Sequence, residues 1–139
     1  MSNGLRTTFW VHAFVALVIG IALVLAPVWT MDLLGWDLLE PPLMQLYGVT
    51  IIALGVSSLL AALAHRWEEV RVVAYTEVFF TAAAVLMFLY LMFISDAAIP
   101  GLTWALAILY ALFFIAFGYF ALQERARTHA VEPPKPAYR

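Results

Sequence analysis

Four long apolar stretches dominate the pattern of hydrophobic and polar positions along the chain. They cover residues 7–28, 43–64, 70–94 and 102–123. Each stretch reaches or exceeds the roughly 20 residues that an α-helix needs to cross the hydrocarbon core of a bilayer. None shows the polar–apolar alternation of a half-buried strand, and in lipid only helices and closed barrels satisfy all of their backbone groups. The pattern therefore predicts four membrane-spanning α-helices.

The connections between these stretches predict how the helices are arranged. The second and third connections are short, so each is expected to join antiparallel neighbours. The first connection, residues 29–42, is longer, and Trp29, Leu33 and Trp36 are spaced in it so as to share one helical face. We therefore predict a short interfacial helix there, ended by the Pro-Pro pair that follows. The alternative is an irregular loop with aromatic anchors.

The basic residues all fall on one side of the four predicted helices. They are Arg6, Arg66, Arg71, Arg125, Arg127, Lys135 and Arg139. The two opposite connections carry acidic residues and no Lys or Arg. Because loops rich in Lys and Arg stay in the cytoplasm, we predict that both termini are cytoplasmic.

Composition favours the same class of protein. The 139 residues are 65% hydrophobic and only 12% charged, whereas soluble domains are about half apolar and about a quarter charged. The chain has no cysteine, which excludes disulfides, thiolate metal sites and thiol catalysis. The predicted fold is an all-α, integral membrane four-helix bundle of two antiparallel hairpins over residues 1–124. A Pro-rich cytoplasmic tail, residues 125–139, follows it.

Two ionisable side chains other than tyrosine fall well inside the predicted helices, namely His12 and Glu77. At 1.5 Å rise per residue, both lie on the order of 10 Å below the cytoplasmic surface. Ser57, Ser58 and Tyr119 reach a similar depth. Charged groups in hydrocarbon are costly and usually face the bundle interior. We therefore predict that these five residues form one polar layer across the bundle.

Three interpretations of this layer remain open from the sequence. The layer could lock the packing through hydrogen bonds between helices. It could bind a small molecule such as a quinone, lipid or pigment, or exchange a proton. His12 could also be the axial ligand of a tetrapyrrole, although a bis-histidine haem would need a second histidine within the membrane. No metal site is predicted, and no cofactor is identified.

Small residues and tryptophans predict which helix faces meet and which side chains lie at the membrane surface. Small and polar residues recur at helical spacing in all four stretches, which favours close helix contact. In the fourth stretch, this inward face comprises Ala105, Leu112, Ala116 and Tyr119, and Leu, Phe and Val are left to face lipid. The predicted interface anchors are Trp29, Trp36, Trp67 and Trp104.

The chain carries no recognisable catalytic set. A phosphate-binding glycine loop, HExxH and GxSxG are all missing from the sequence, and the basic residues are too dispersed for a nucleic-acid site. We therefore expect a non-catalytic accessory or assembly subunit of a larger membrane complex. Its partners would be membrane lipid and either other membrane-protein subunits or further copies of itself. The alternative function is the small-molecule or proton-exchange site at His12 and Glu77.

Several short motifs in the first half of the chain resemble those of a known group. They are Leu5-Arg6, Pro27, Gly35, Leu46-Tyr47-Gly48 and Ala53-Leu54-Gly55. This pattern is similar to that of the DoxX-like proteins and other small bacterial four-helix membrane proteins. The resemblance implies a four-helix bundle in the bacterial inner membrane, and some members of the group are associated with redox or respiratory membrane complexes. It implies no catalytic residue.

Overall fold

The chain folds into helices joined by short connections. The computed structural model describes residues 1–36, 40–94 and 100–131, with side chains as far as residue 128. It contains the helices α1 (Asn3–Leu25), α2 (Pro27–Leu34), α3 (Pro41–Leu63), α4 (Trp67–Phe93) and α5 (Gly101–Val131). The four long helices are long and apolar enough to cross a membrane. The prediction of an all-α chain with four long apolar helices is confirmed over the described residues.

The long helices pack as two tight pairs, α1 with α3 and α4 with α5. The α4–α5 pair is the one predicted from the short third connection, whereas α3 and α4, which the short second connection predicted as neighbours, contact each other only slightly. Smaller contacts of α1 with α5 and of α3 with α4 join the pairs, so the order around the bundle is α1, α3, α4, α5. Helices α1 and α4 are therefore diagonal to each other, and side chains from both can meet on the bundle axis.

Close backbone approach makes the α1–α3 pair tight. A Cβ atom built on Gly20 would lie 2.9 Å from the carbonyl oxygen of Gly48, and a Cβ on Gly48 would lie 2.9 Å from the carbonyl oxygen of Gly20. Two turns further along α3, Gly55 lies against Ala16 and Leu17 of α1. The small residues predicted to face inward on these two helices are therefore buried at their contact.

The first connection contains the predicted short helix, but its end differs from the prediction. Helix α2 ends at Leu34, before the Pro-Pro pair, because Gly35 adopts the left-handed conformation with φ 74° and stops the helix. Pro41 instead lies in the first turn of α3, where a missing N–H is tolerated. Trp36 lies beyond the helix end, and its indole N–H donates to Thr103 Oγ1 at 3.0 Å.

The two ends of the bundle can be told apart by their contacts. At one end, here called the terminal end, the Ser2 backbone N–H donates to Glu124 Oε1 at 2.5 Å. This contact ties the start of α1 to the last part of α5. The opposite end, here called the loop end, holds the contact between Trp36 and Thr103. Helix α5 continues through residues 125–131, which were predicted as tail, and the Pro-rich part of that tail, residues 132–139, lies outside the described residues.

Candidate functional site

His12, Ser58 and Glu77 meet on the bundle axis and form a buried cluster. His12 Nδ1 lies 2.8 Å from Ser58 Oγ, and Ser58 Oγ lies 2.9 Å from Glu77 Oε1. His12 Nε2 lies 3.5 Å from Glu77 Oε2. The exposed fraction is 5% for His12 and 0% for both Ser58 and Glu77. The three side chains thus form a closed ring of polar contacts between α1, α3 and α4.

Helix packing explains why the three side chains meet. The glycine contact between α1 and α3 brings the two backbones together, so a side chain as short as serine reaches His12. Glu77 has a longer side chain and reaches the same point from α4, across the bundle. The closely packed helices α1 and α3 thus need only the short side chain of Ser58 to reach His12, whereas the diagonal helix α4 needs the longer side chain of Glu77.

Aromatic rings from α5 enclose the histidine. The centroids of Phe113 and Phe117 lie 4.9 Å and 5.5 Å from the His12 ring, and both rings are nearly perpendicular to it. Both phenylalanines are buried. Helix α5 therefore contributes apolar walls to the cluster, which keep the polar ring away from lipid and water.

One oxygen of the cluster lacks a full hydrogen bond. Glu77 Oε2 is buried and makes no hydrogen bond to any described residue, and its ion-pair partner His12 Nε2 is 3.5 Å away. A buried carboxylate oxygen without a donor costs about 1–3 kcal/mol, and more when it is charged. A proton between this oxygen and His12 Nε2 would remove that cost. A bound proton would therefore stabilise this contact of the cluster more than the other two.

Counting hydrogens gives the protonation state that satisfies the ring. Three heavy-atom contacts need three hydrogens. The Ser58 hydroxyl supplies one and a neutral imidazole supplies one. The third must come either from a protonated Glu77 or from a doubly protonated His12, whichever way the Ser58 hydroxyl points. The satisfied ring is therefore electrically neutral, and it holds one proton more than a neutral histidine beside a carboxylate.

Two residues predicted for the polar layer do not join it. The Ser57 hydroxyl donates to the Leu54 carbonyl of its own helix at 2.9 Å. Tyr119 is 60% exposed, and its ring contacts Phe120, so the prediction that it faces inward is wrong. The buried face of α5 carries Phe113 and Phe117 instead, because these rings fill the space beside His12. Tyr119, two positions beyond Phe117, points to the opposite side of the helix.

The four tryptophans predicted as interface anchors differ in their exposure. Trp29 and Trp104 are 61% and 47% exposed, as interfacial anchors would be. Trp36 is half-buried through its bond to Thr103. The prediction for Trp67 is wrong, because this residue is only 7% exposed and belongs to the apolar core near the terminal end. A tryptophan beside charged residues is typical of an interface, and the sequence alone does not reveal that other helices cover it.

Glu124, a second buried carboxylate, was not identified from the sequence. It lies beside the basic residues of α5, where a solvated side chain would be the ordinary expectation, yet it is only 5% exposed. Its Oε1 accepts the Ser2 N–H and lies 3.7 Å from Arg127 Nη1. These partners make Glu124 a structural clamp at the terminal end.

We expect Glu124→Ala to lower the free energy of unfolding by about 1 kcal/mol, because the partly buried Ser2 N–H loses its acceptor. Glu124→Gln keeps an acceptor oxygen at this position and should cost less. Unfolding in mixed micelles, followed by circular dichroism, measures both variants. Equal stability of Glu124→Ala and the wild type would show that the clamp contributes nothing.

The described residues do not form a binding site suited to a metal ion or a tetrapyrrole. No group of three or more His, Asp or Glu residues among them could hold a metal ion. Both ring nitrogens of His12 face protein groups, and phenylalanine rings enclose the imidazole. An axial ligand needs one nitrogen open to the metal, so this geometry does not support the interpretation of His12 as a tetrapyrrole ligand.

Comparisons of the chain with protein-family models, with curated proteins and with solved structures found no match. The resemblance to DoxX-like proteins therefore stays a prediction from the short motifs of the first half.

Proposed function

We propose that this chain is an integral membrane protein whose His12–Ser58–Glu77 cluster binds and releases a single proton, and that the Glu77 carboxyl group carries this proton. The observation that carries the proposal is the buried ring of contacts, which is satisfied only when it holds one proton beyond a neutral histidine and a carboxylate. Loss of that proton leaves the Glu77 carboxylate charged and one of the three contacts without a hydrogen. The cluster therefore has two distinct states that differ by one proton.

The size of the neighbouring cavity favours a proton over a larger ligand. A cavity of about 30 Å³ borders His12 inside the bundle. Such a volume exceeds the roughly 10–15 Å³ that one water molecule requires, but drug-sized ligands occupy pockets of about 300–1,000 Å³. A quinone or pigment would need the helices to separate. Water and protons can reach the histidine without that movement.

The placement in a membrane belongs to the same proposal. The four long apolar helices support insertion, and the one-sided distribution of Lys and Arg supports termini in the cytoplasm. The resemblance drawn from the sequence favours the bacterial inner membrane. With this orientation the terminal end faces the cytoplasm, and the loop end faces the opposite side.

Infrared spectroscopy of the protein in lipid bilayers tests the proton site. We expect a carbonyl-stretch band from a protonated carboxyl group that shifts in D₂O, disappears as the pH is raised, and is missing from Glu77→Gln. Glu124→Gln is the matched control, since it removes the other buried carboxyl group and should leave the band in place. Persistence of the band in Glu77→Gln, or its absence from the wild type at every pH, would overturn the proposal.

The accessory-subunit function expected from the sequence is the second candidate. It is supported by the described residues, most of which belong to the four long helices. Native mass spectrometry after gentle extraction tests it directly. Stoichiometric heavier subunits would support it, whereas a monomer or homo-oligomer would count against it. A proton-binding cluster is compatible with either assembly state.

A further inference from the structure

The surroundings of the cluster differ between its two sides. Toward the terminal end, the helices close into an apolar core. Its most buried members next to the cluster are Phe9, Val70, Ala74 and Phe117, with exposed fractions of 0–1%. Phe9 precedes His12 by one turn in α1, and Ala74 precedes Glu77 by nearly one turn in α4. Tightly packed apolar side chains of this kind leave no space for water, so this core closes the cluster toward the terminal end. A separate groove of about 260 Å³ runs along Thr8 and Phe113, but His12 does not line it.

Toward the loop end, by contrast, the bundle contains the cavity of about 30 Å³. Each long helix contributes to its wall, with His12 and Ile19 on α1, Ile51 on α3, Phe80 on α4 and Tyr110 on α5. All of these residues other than His12 lie between the cluster and the loop end. The volume is sufficient for one or two water molecules. His12 thus borders a hydratable space on one side and a dry core on the other.

Two tyrosines continue this space toward the surface. Tyr110 lines the cavity, and Phe80 and Phe88 hold its ring at centroid distances of 6.0 Å and 5.7 Å. The Tyr110 hydroxyl forms a hydrogen bond with that of Tyr47. Tyr47 is 45% exposed in the first third of α3, toward the loop end. Hydroxyl groups both donate and accept hydrogen bonds, so they can pass a proton along.

We infer that the His12–Glu77 centre exchanges its proton with the loop end only, through the cavity and the Tyr110 and Tyr47 hydroxyls. This inference rests on the proposed proton-binding function and adds its direction and path. The titratable groups along the path are His12 from α1, Glu77 from α4, Tyr110 from α5 and Tyr47 from α3. A proton site open to one side reports the pH of that side alone.

A pH jump applied to one face of the membrane tests this direction. The protein is reconstituted into vesicles, and an affinity tag at the N-terminus separates vesicles with termini outside from those with termini inside. The Glu77 carboxyl band is then followed by rapid-scan infrared spectroscopy after the external pH is raised. We expect a fast loss of the band when the loop end faces outward, and a response limited by proton leakage across the vesicle membrane when the termini face outward.

Hydroxyl deletions test the path. Tyr110→Phe should slow the fast response by about tenfold, because a lost hydrogen bond of about 1.4 kcal/mol corresponds to one factor of ten in rate. Val15→Ile, which adds a methyl group at the cavity wall, should slow it as well. Tyr119→Phe removes a hydroxyl from the outer face of the same helix and should leave the rate unchanged.

The outcomes separate the two claims. A wild-type protein without a titrating Glu77 band would overturn the proposed proton site itself. A titrating band that responds equally fast from both faces, or first from the terminal end, would overturn only the one-sided access. Unchanged rates in both Tyr110→Phe and Val15→Ile would overturn the path.

Discussion

Glu77→Gln is expected to keep the stability of the wild type, whereas Glu77→Leu loses about 3 kcal/mol of unfolding free energy. A glutamine fits the ring, because its carbonyl oxygen accepts from Ser58 and its amide group donates to His12 Nε2. All three contacts are then supplied with hydrogens, but the exchangeable proton is gone. Leucine has a similar size but leaves both Ser58 and His12 buried without their partner.

The comparison between the two variants separates a proton site from packing. Thermal or detergent unfolding in lipid–detergent mixtures, with the two variants and the wild type side by side, gives the stability difference. If the carboxylate were ionised and stabilised by its charge, the neutral glutamine would be strongly destabilising, close to leucine. Such a result would contradict a protonated, uncharged Glu77.

The second large effect is expected at the contact between α1 and α3. In Gly48→Val, the added carbon atoms collide with the Gly20 carbonyl oxygen, which lies 2.9 Å from the position of the first one. The helix backbone at Gly20 cannot rotate away as a flexible side chain can, so the two helices must separate. We expect a loss of about 3 kcal/mol in unfolding free energy and a longer distance between His12 and Ser58. Unfolding measurements test the first effect, and the infrared band of Glu77 tests the second.

Gly118 on α5 provides the matched control. A Cβ built on this glycine meets nothing within 4 Å, and the backbone there is helical. Gly118→Ala should therefore be neutral or stabilising by up to about 1 kcal/mol, since alanine is the better helix former. If Gly48→Val and Gly118→Ala had equal effects, close packing of α1 on α3 would not be a source of stability.

The fold could be predicted from the sequence in most respects because it depends on hydropathy and spacing. Apolar length gave the four helices, and the small-residue stripes placed His12, Ser58 and Glu77 on buried faces. These signals come from local sequence, and the bilayer imposes them on every spanning helix. The pairing of α1 with α3 was not predicted, because only the structure shows that Gly20 and Gly48 face each other.

The inward face of α5 could not be predicted by the same reasoning. Lipid and protein core are both apolar, so hydropathy does not distinguish a lipid-facing phenylalanine from a buried one. Phe113 and Phe117 face the inside because their rings pack, nearly perpendicular, against the ring of His12 on another helix. Glu124 is buried because Ser2 approaches it from the far end of the chain. Contacts between residues far apart in the chain do not affect the local spacing of residue types, so the sequence pattern does not reveal them.

The cavity and the two tyrosines beside it also could not be predicted from the sequence. Tyr110 and Tyr47 lie on different helices, and nothing in their local sequence relates them to His12. Only the packing of all four helices leaves the small space that connects them. Of the predicted polar layer, His12, Ser58 and Glu77 do meet, but the extension of this cluster toward the loop end required the three-dimensional structure.

A count of bound protons tests the central claim most directly. Wild type and Glu77→Gln in identical lipid bilayers are titrated from alkaline to acid pH, and the protons taken up per chain are compared. The neutral-ring account predicts that the wild type takes up one proton more than the variant, released again on return to alkaline pH. Equal uptake by the two proteins would mean that Glu77 exchanges no proton, and would contradict the account.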